Sequence, residues 1–148
     1  MVWIFASIVF FVFLVWAFTP SSRIVKKGGF ANLDQQFNCL INGQPKMSSL
    51  IVEVIDTSDF IQFSHFRGHI QVDFPLVTDR QKSLRDKYER EVGKLGYVTE
   101  VSQGSDGASF LDFDAPADPD KMTEICATLL KRTFELTGNE KLKMVLMP

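Results

Sequence analysis

The chain has 148 residues, of which 16 are basic and 18 acidic, so its formal net charge is −2. Its first three charged side chains are basic, and removing them leaves 13 basic against 18 acidic residues. This balance excludes the clustered positive surface on which nucleic-acid binding depends. The two cysteines, Cys39 and Cys126, are far apart in apolar surroundings and are predicted to be buried, reduced thiols rather than a disulfide or a metal site.

The chain begins with an uncharged, strongly apolar run from Val2 to Phe18, and the first charged side chain is Arg23. At about 1.5 Å per helical residue, the run is long enough to cross a hydrocarbon core of roughly 30 Å. Trp3 and Trp16 stand near its two ends, where indole rings favour the headgroup level. Residues 1–22 are therefore predicted to form a transmembrane anchor.

The orientation of the anchor is predicted from the basic residues that follow it, Arg23, Lys26 and Lys27. Positive charge beside a span tends to stay in the cytoplasm, so the remainder of the chain is expected to face the cytoplasm. Two alternatives stay open: an anchor with its domain facing out, and a cleavable signal peptide followed by export. The signal-peptide alternative is favoured by Val15-Trp16-Ala17, which leaves small residues near a possible cleavage point, but it lacks a basic region before the apolar run.

The domain organisation follows from the composition after the anchor. Residues 23–29 contain the basic cluster and Gly28-Gly29, and they are predicted to be a short basic and glycine-containing linker. Residues 30–148 have the length of one ordinary domain with a single core.

The first elements of the domain are read from hydrophobic spacing. Residues 30–41 have apolar side chains at helical spacing and are followed by the stop signal Asn42-Gly43, although a strand before a hairpin turn is the alternative interpretation. Residues 50–55 predict a strand. Residues 60–66 and 69–74 alternate apolar and polar side chains around Arg67-Gly68, which predicts an antiparallel hairpin.

A charged helix is predicted to follow this hairpin, from Thr78 to Gly96, with a capping box formed by Thr78 and Gln81. Its buried stripe is expected to be Leu84, Tyr88, Val92 and Leu95. The remaining faces carry many charges, among them Arg85, Glu89 and Arg90, which are a candidate interaction surface, although such charges also occur on ordinary solvated faces.

The pattern then repeats: strands at 97–101 and 108–113 surround a glycine-containing turn, and a helix extends from Asp118 to about Leu136. Val72-Asp73-Phe74 resembles Leu111-Asp112-Phe113, which is compatible with a duplicated unit. The tail, 141–148, has strand spacing and is expected to add an edge strand. The predicted fold class is α+β, with an antiparallel sheet, helices packed on one face and a ββα-ββα order, preceded by the membrane helix.

Candidate chemistry in this sequence is sparse. His65 and His69 flank a turn, without a third ligand at metal-binding spacing. The acidic run Asp112, Asp114, Asp118 and Asp120 lacks the glycine and terminal glutamate of a calcium loop. No serine-nucleophile motif is present, and Cys126 lies on the apolar side of a helix. We therefore expect no catalytic, cofactor-binding or metal-binding residues.

The functional hypothesis is a non-enzymatic, single-pass membrane protein whose small domain binds other membrane-complex proteins as an accessory subunit or assembly factor. We expect no nucleic-acid partner, no cofactor and no small-molecule ligand. The alternatives are a membrane-tethered enzyme or ligand-binding domain that uses His65, Arg67, His69 and Asp73, and an exported protein. Fold analogy does not choose among them.

Overall fold

The computed structural model describes residues 23–148, in which a seven-stranded antiparallel sheet carries helices on one face. The strands are β1 (Ile24–Gly28), β2 (Ser49–Val54), β3 (Phe60–Phe66), β4 (His69–Pro75), β5 (Glu100–Gln103), β6 (Ser109–Pro116) and β7 (Leu142–Met147). The helices are α1 (Leu33–Asn42), α2 (Asp79–Ser83), α3 (Arg85–Lys94) and α4 (Pro119–Phe134), with a 3₁₀ turn at Phe30–Asn32. The strand order is β1-β7-β2-β3-β4-β6-β5. The predicted α+β class is confirmed.

Alternation along the strands gives the sheet one apolar face, which lies under the helices. Its buried side chains come from five neighbouring strands and pack against α1, α3 and α4 in a single core. The strand residues of this face are Leu142, Met144, Leu146, Leu50, Val52, Val54, Ile61, Phe63, Ile70, Val72, Phe74, Leu111, Phe113 and Ala115. The opposite face, which we call the open face, is covered by none of the four helices in residues 23–148 and has mainly polar side chains.

Several local predictions are confirmed. The helix predicted over residues 30–41 is α1, which buries Leu33, Phe37 and Leu40 and ends before Gly43. The predicted hairpin is β3–β4, and its turn residues Arg67 and Gly68 both have positive φ, 50° and 80°. A two-residue turn with positive φ at both positions matches the twist of the strands that it joins.

The prediction of a single helix from Thr78 to Gly96 is wrong, because the structure has two helices there, α2 and α3. The capping box is present, because the Gln81 N–H donates to Thr78 Oγ1 at 3.1 Å. The Ser83 hydroxyl, however, donates to the Arg80 carbonyl oxygen at 2.6 Å, and the Leu84 N–H is shared between the carbonyl oxygens of Arg80 and Gln81. This side-chain bond and the tightened turn separate α2 from α3.

The second hairpin is displaced along the chain from its predicted position. Residues 97–99 were expected in a strand, but β5 begins only at Glu100. Tyr97 instead packs on Phe113 with ring centroids 5.0 Å apart. The helix after this hairpin begins as predicted: the Asp118 side chain accepts the Lys121 N–H at 3.1 Å, and Pro119 is the first helical residue.

The two ends of the described chain differ most from expectation. Within the predicted linker, residues 24–28 form β1, which pairs with β7 from Ile24↔Leu146 to Gly28↔Leu142. The tail was expected at an edge of the sheet, but β7 lies inside it, between β1 and β2. The alternating residues of the tail fit either place, and only the pairing of β1 makes β7 an interior strand.

The predicted membrane helix, with Trp3 and Trp16, lies outside the described residues. From residue 23 onward, none of the helices has both the length and the apolar character needed to cross a bilayer.

Candidate functional site

The open face is the part of the described domain with the most unusual arrangement of charges. Strand register places Gln62 opposite Asp73, Asp73 opposite Asp112, and Asp112 opposite Glu100. Asp114 lies on the same face of β6, opposite Gln71. We call the four carboxylates Asp73, Asp112, Asp114 and Glu100 the acidic strip, which crosses β4, β6 and β5.

The centre of the acidic strip is the pair formed by Asp73 and Asp112. Directly opposed residues of an antiparallel pair have Cβ atoms about 5 Å apart, and like charges at that separation are destabilising. The Gln71 amide moderates the repulsion, because its Nε2 lies 3.0 Å from Asp73 Oδ1 and 3.4 Å from Asp112 Oδ2. One amide therefore bridges two carboxylates on neighbouring strands.

The surroundings of Asp73 also change the pKa of its carboxyl group. The pKa of Asp73 is raised from 3.8 to about 6, mainly by burial and also by the negative charges of Asp112 and Asp114, against the opposing effect of the hydrogen bond from Gln71. Close to neutral pH the group is thus near its titration point. The sheet holds a carboxyl group here that would be more acidic in water.

Aromatic and imidazole side chains border the acidic strip along the strands. On one side, Pro75 and Phe110 are opposite each other on the open face. On the other side, His69 Nε2 lies 3.5 Å from Asp114 Oδ1, and the His69 ring meets Phe66 edge-on at a centroid distance of 6.1 Å. Phe66 is 56% exposed. The strip is therefore an acidic surface with apolar margins on one face of the sheet.

The four residues of the enzyme or ligand-binding alternative do not meet at one site. His65 is opposite Ile70, whose side chain is in the core, so His65 lies on the helix side of the sheet. His69 and Asp73 lie on the open face, and the Arg67 guanidinium stacks over the Phe66 ring at 5.0 Å. The sequence did contain this information, because a two-residue turn at Arg67-Gly68 fixes the register that separates the two histidines.

The acidic run near the start of α4 is likewise divided. Asp112 and Asp114 belong to the open face, whereas Asp118 caps α4 and Asp120 lies in its first turn. In the part of the chain that the structure describes, no group of three or more His, Cys, Asp or Glu side chains is placed to hold a metal ion.

The predicted interaction surface on the charged helix is exposed and partly neutralised. Arg85 and Glu89 form an ion pair on α3, with Nε to Oε1 at 3.1 Å, and Arg90 is exposed beside them. Cys126 is fully buried, and burial raises the pKa of its thiol, whereas Cys39 is half-buried on α1. A buried thiol of this kind is not a nucleophile at neutral pH.

An open groove lies on the helix side, between α1 and the start of α4. It is lined by Asp34, Gln35, Asn38, Pro119 and Asp120. Its polar atoms are two carboxylates and two amides facing solvent, which is the composition of an ordinary helix surface.

Comparisons with protein-family models, curated proteins and solved structures gave no match to this chain. The function is therefore inferred from the geometry of the domain. Sequence analysis missed the acidic strip, although the two Asp-containing segments that resemble each other, Val72-Asp73-Phe74 and Leu111-Asp112-Phe113, were a signal. Each segment places its aspartate on the open face, but the sequence does not reveal that the two strands are neighbours.

Chemically, the acidic strip can accept hydrogen bonds and compensate positive charge across three strands. A Lys or Arg side chain laid over it would relieve the repulsion between Asp73 and Asp112. Because the strip extends across three strands and is bordered by apolar side chains, it suits an extended chain segment better than an enclosed small molecule.

Proposed function

We propose that this protein is a non-enzymatic, single-pass membrane protein whose α+β domain binds a basic segment of a membrane-complex partner through the acidic strip. The observation that carries the proposal is the direct opposition of Asp73 and Asp112 on a face that no helix within residues 23–148 covers. Charges held together at a cost in stability are typical of surfaces whose favourable contacts come from a partner.

The membrane part of the proposal rests on the sequence. The uncharged run from Val2 to Phe18 has the length of a span, and the basic cluster after it favours a domain that faces the cytoplasm. Since β1 begins at Ile24, directly after the predicted span, the domain would lie close to the bilayer and meet partners that are also membrane-bound. An accessory subunit or an assembly factor fits this placement.

The test is purification of the tagged, full-length protein from its own membranes in a mild detergent. We expect a stoichiometric partner that is retained at low salt and released at high salt, since exposed charges are screened. The double variant Asp112→Asn/Asp114→Asn should lower the retained partner by about tenfold. The matched control, Asp86→Asn/Glu124→Gln, makes the same change in net charge on the helix side and should retain the partner.

A protein that purifies without any partner, or a partner retained equally by both double variants, would contradict the docking function. The topology is tested separately with a reporter fused to the C-terminus. We expect activity in the cytoplasm, and activity only outside the cytoplasm would overturn the orientation.

A further inference from the structure

We infer that the partner segment binds as an additional antiparallel strand along the outer edge of β5, and that it alternates basic and apolar side chains. This inference rests on the proposed function and specifies the partner of the same acidic strip. It is carried by three observations at β5: the direction of its backbone groups, the exposure of Val101, and the charge on its open face.

The backbone direction follows from the hairpin β5–β6. The Gly104 N–H donates to the Ala108 carbonyl oxygen at 2.8 Å, so Gly104 directs its backbone groups toward β6. Bonding direction alternates along a strand, so Glu100 and Ser102 also bond to β6, while Val101 directs its N–H and C=O away from the sheet. Within residues 23–148, no strand lies on that side of β5. Val101 therefore offers a donor and an acceptor to a strand from outside.

The side chains of β5 specify what such a strand carries. Val101 is opposite Leu111 on the helix side, yet it is 53% exposed. In an antiparallel addition, the residue opposite Val101 also points to the helix side, where an apolar side chain would cover it. The residues opposite Glu100 and Ser102 point to the open face, where Lys or Arg would meet Glu100 and, behind it, Asp112. Basic and apolar residues thus alternate.

The other edge of the sheet supplies a matched comparison. The Ile55 N–H donates to the Lys141 carbonyl oxygen at 3.1 Å, which directs alternate residues of β7 toward β2 and the intervening ones, including Met144, toward β1. Lys26, paired with Met144, therefore bonds inward, and Val25 points its backbone outward. Val25 is 45% exposed, close to the value for Val101, but two basic residues, Lys26 and Lys27, follow it on β1. A basic segment is repelled here and attracted at β5.

The experiment measures binding of a fluorescein-labelled peptide, Lys-Val-Lys-Val-Lys-Val-Lys, to the full-length protein in nonionic detergent by fluorescence anisotropy. In the added strand, the valines share the face of Val101 and direct their N–H groups to β5, whereas the lysines direct theirs to solvent. N-methylation of the valines should weaken binding by about tenfold or more, and N-methylation of the lysines should change it by less than about twofold. A Glu-Val peptide of the same length should bind more weakly than the Lys-Val peptide.

Protein variants locate the edge. Val101→Pro removes only an outward N–H, which an edge strand tolerates, and it should weaken peptide binding by about tenfold. Val25→Pro makes the same change on β1 and should leave binding within about twofold. The N-methylated peptides need no protein variant, so they test the inference even if a proline variant does not fold.

Equal effects of the two N-methylated peptides, or equal effects of the two proline variants, would overturn the inference. Self-association of the protein that both proline variants abolish would also overturn it, because β5 would then pair with β1 of a second copy. The proposed function is tested separately: it fails if the Asp112→Asn/Asp114→Asn variant retains as much partner as the unchanged protein. A partner that needs the acidic strip but ignores Val101→Pro would preserve the function and reject strand addition.

Discussion

Asp73 is a residue whose negative charge lowers the stability of the fold and belongs to the proposed binding surface. Its raised pKa means that, between 3.8 and about 6, the unfolded chain releases this proton while the folded protein keeps it. The contribution of Asp73 to the free energy of unfolding therefore falls as pH rises through this window. The fold is less stable at neutral pH than it would be with an uncharged residue at this position.

Asp73→Asn should remove that loss. Asn retains an oxygen that accepts the hydrogen bond from Gln71, so we expect the free energy of unfolding at pH 7 to rise by about 1 kcal/mol, discounted for partial solvent screening. The gain should vanish toward pH 4. Urea unfolding followed by circular dichroism at several pH values measures it, with Asp86→Asn on α3 as the control. A gain that is independent of pH would contradict the titration of Asp73.

Tyr88 is a second residue with a polar group in an unfavourable environment, namely its buried hydroxyl. Its side chain is fully buried and stacks on Phe74 with ring centroids 4.3 Å apart, and its hydroxyl has no hydrogen-bond partner among residues 23–148. Tyr88→Phe keeps the stacking and removes the unsatisfied hydroxyl, so the free energy of unfolding should rise by about 1 kcal/mol. Tyr97→Phe, at a partly exposed ring, should change it by less than about 0.5 kcal/mol. A loss of stability in Tyr88→Phe would show that the hydroxyl is bonded after all.

At the scale of elements, one ion pair ties the loop between β2 and β3 to α2. Arg80 binds Asp59 through two bonds, Nε to Oδ1 at 2.7 Å and Nη2 to Oδ2 at 2.8 Å, and the Asp59 side chain is only 6% exposed. The same loop is closed by the Val54 N–H, which donates to the Asp59 carbonyl oxygen at 2.9 Å. The pair thus fixes the start of β3 against the helix that follows β4.

Arg80→Ala should leave the buried Asp59 carboxylate without its partner and lower the free energy of unfolding by about 2 kcal/mol. Arg85→Ala removes an exposed pair with Glu89 on the next helix, and it should cost less than about 0.5 kcal/mol. Thermal unfolding of the two variants in the same detergent gives the comparison. Equal losses would mean that the Asp59 pair contributes no more than a surface pair.

The elements themselves were predictable where local chemistry decides them. Alternation and the Arg67-Gly68 turn identified β3–β4, and Thr78, Gln81 and Asp118 identified the helix starts, because these signals lie within a few residues of the structures that they specify. The break at Leu84 was not predicted, since it arises from a hydroxyl-to-carbonyl bond by Ser83 that competes with a strong helical pattern. Of the candidate site, the single strands and the face of β4 on which Asp73 lies were predictable, but the pairing of Asp73 with Asp112 was not.

Across the whole molecule, the order of the strands is the property least visible in the sequence. The strand β7 is far from β1 along the sequence, yet it lies between β1 and β2 and joins β1 to the remainder of the sheet. The buried face of β7 fits a half-buried edge strand equally well, and nothing local distinguishes the two positions. Strand order is set by long-range pairing, which local patterns do not record.

This topology makes β7 essential for the fold. A chain ending at Lys141 lacks β7, so β1 loses all of its ladder, from Ile24↔Leu146 to Gly28↔Leu142, and β2 loses its pairing on one side. It also leaves the core without Leu142, Met144 and Leu146. Because each buried apolar side chain contributes about 2 kcal/mol, the loss is comparable with the whole stability of a small domain.

We expect no cooperative thermal transition in the variant that ends at Lys141, whereas a chain that lacks only the exposed Pro148 should unfold like the full chain. A cooperative transition at an unchanged midpoint in the shorter variant would show that β7 is dispensable and that the sheet closes without it.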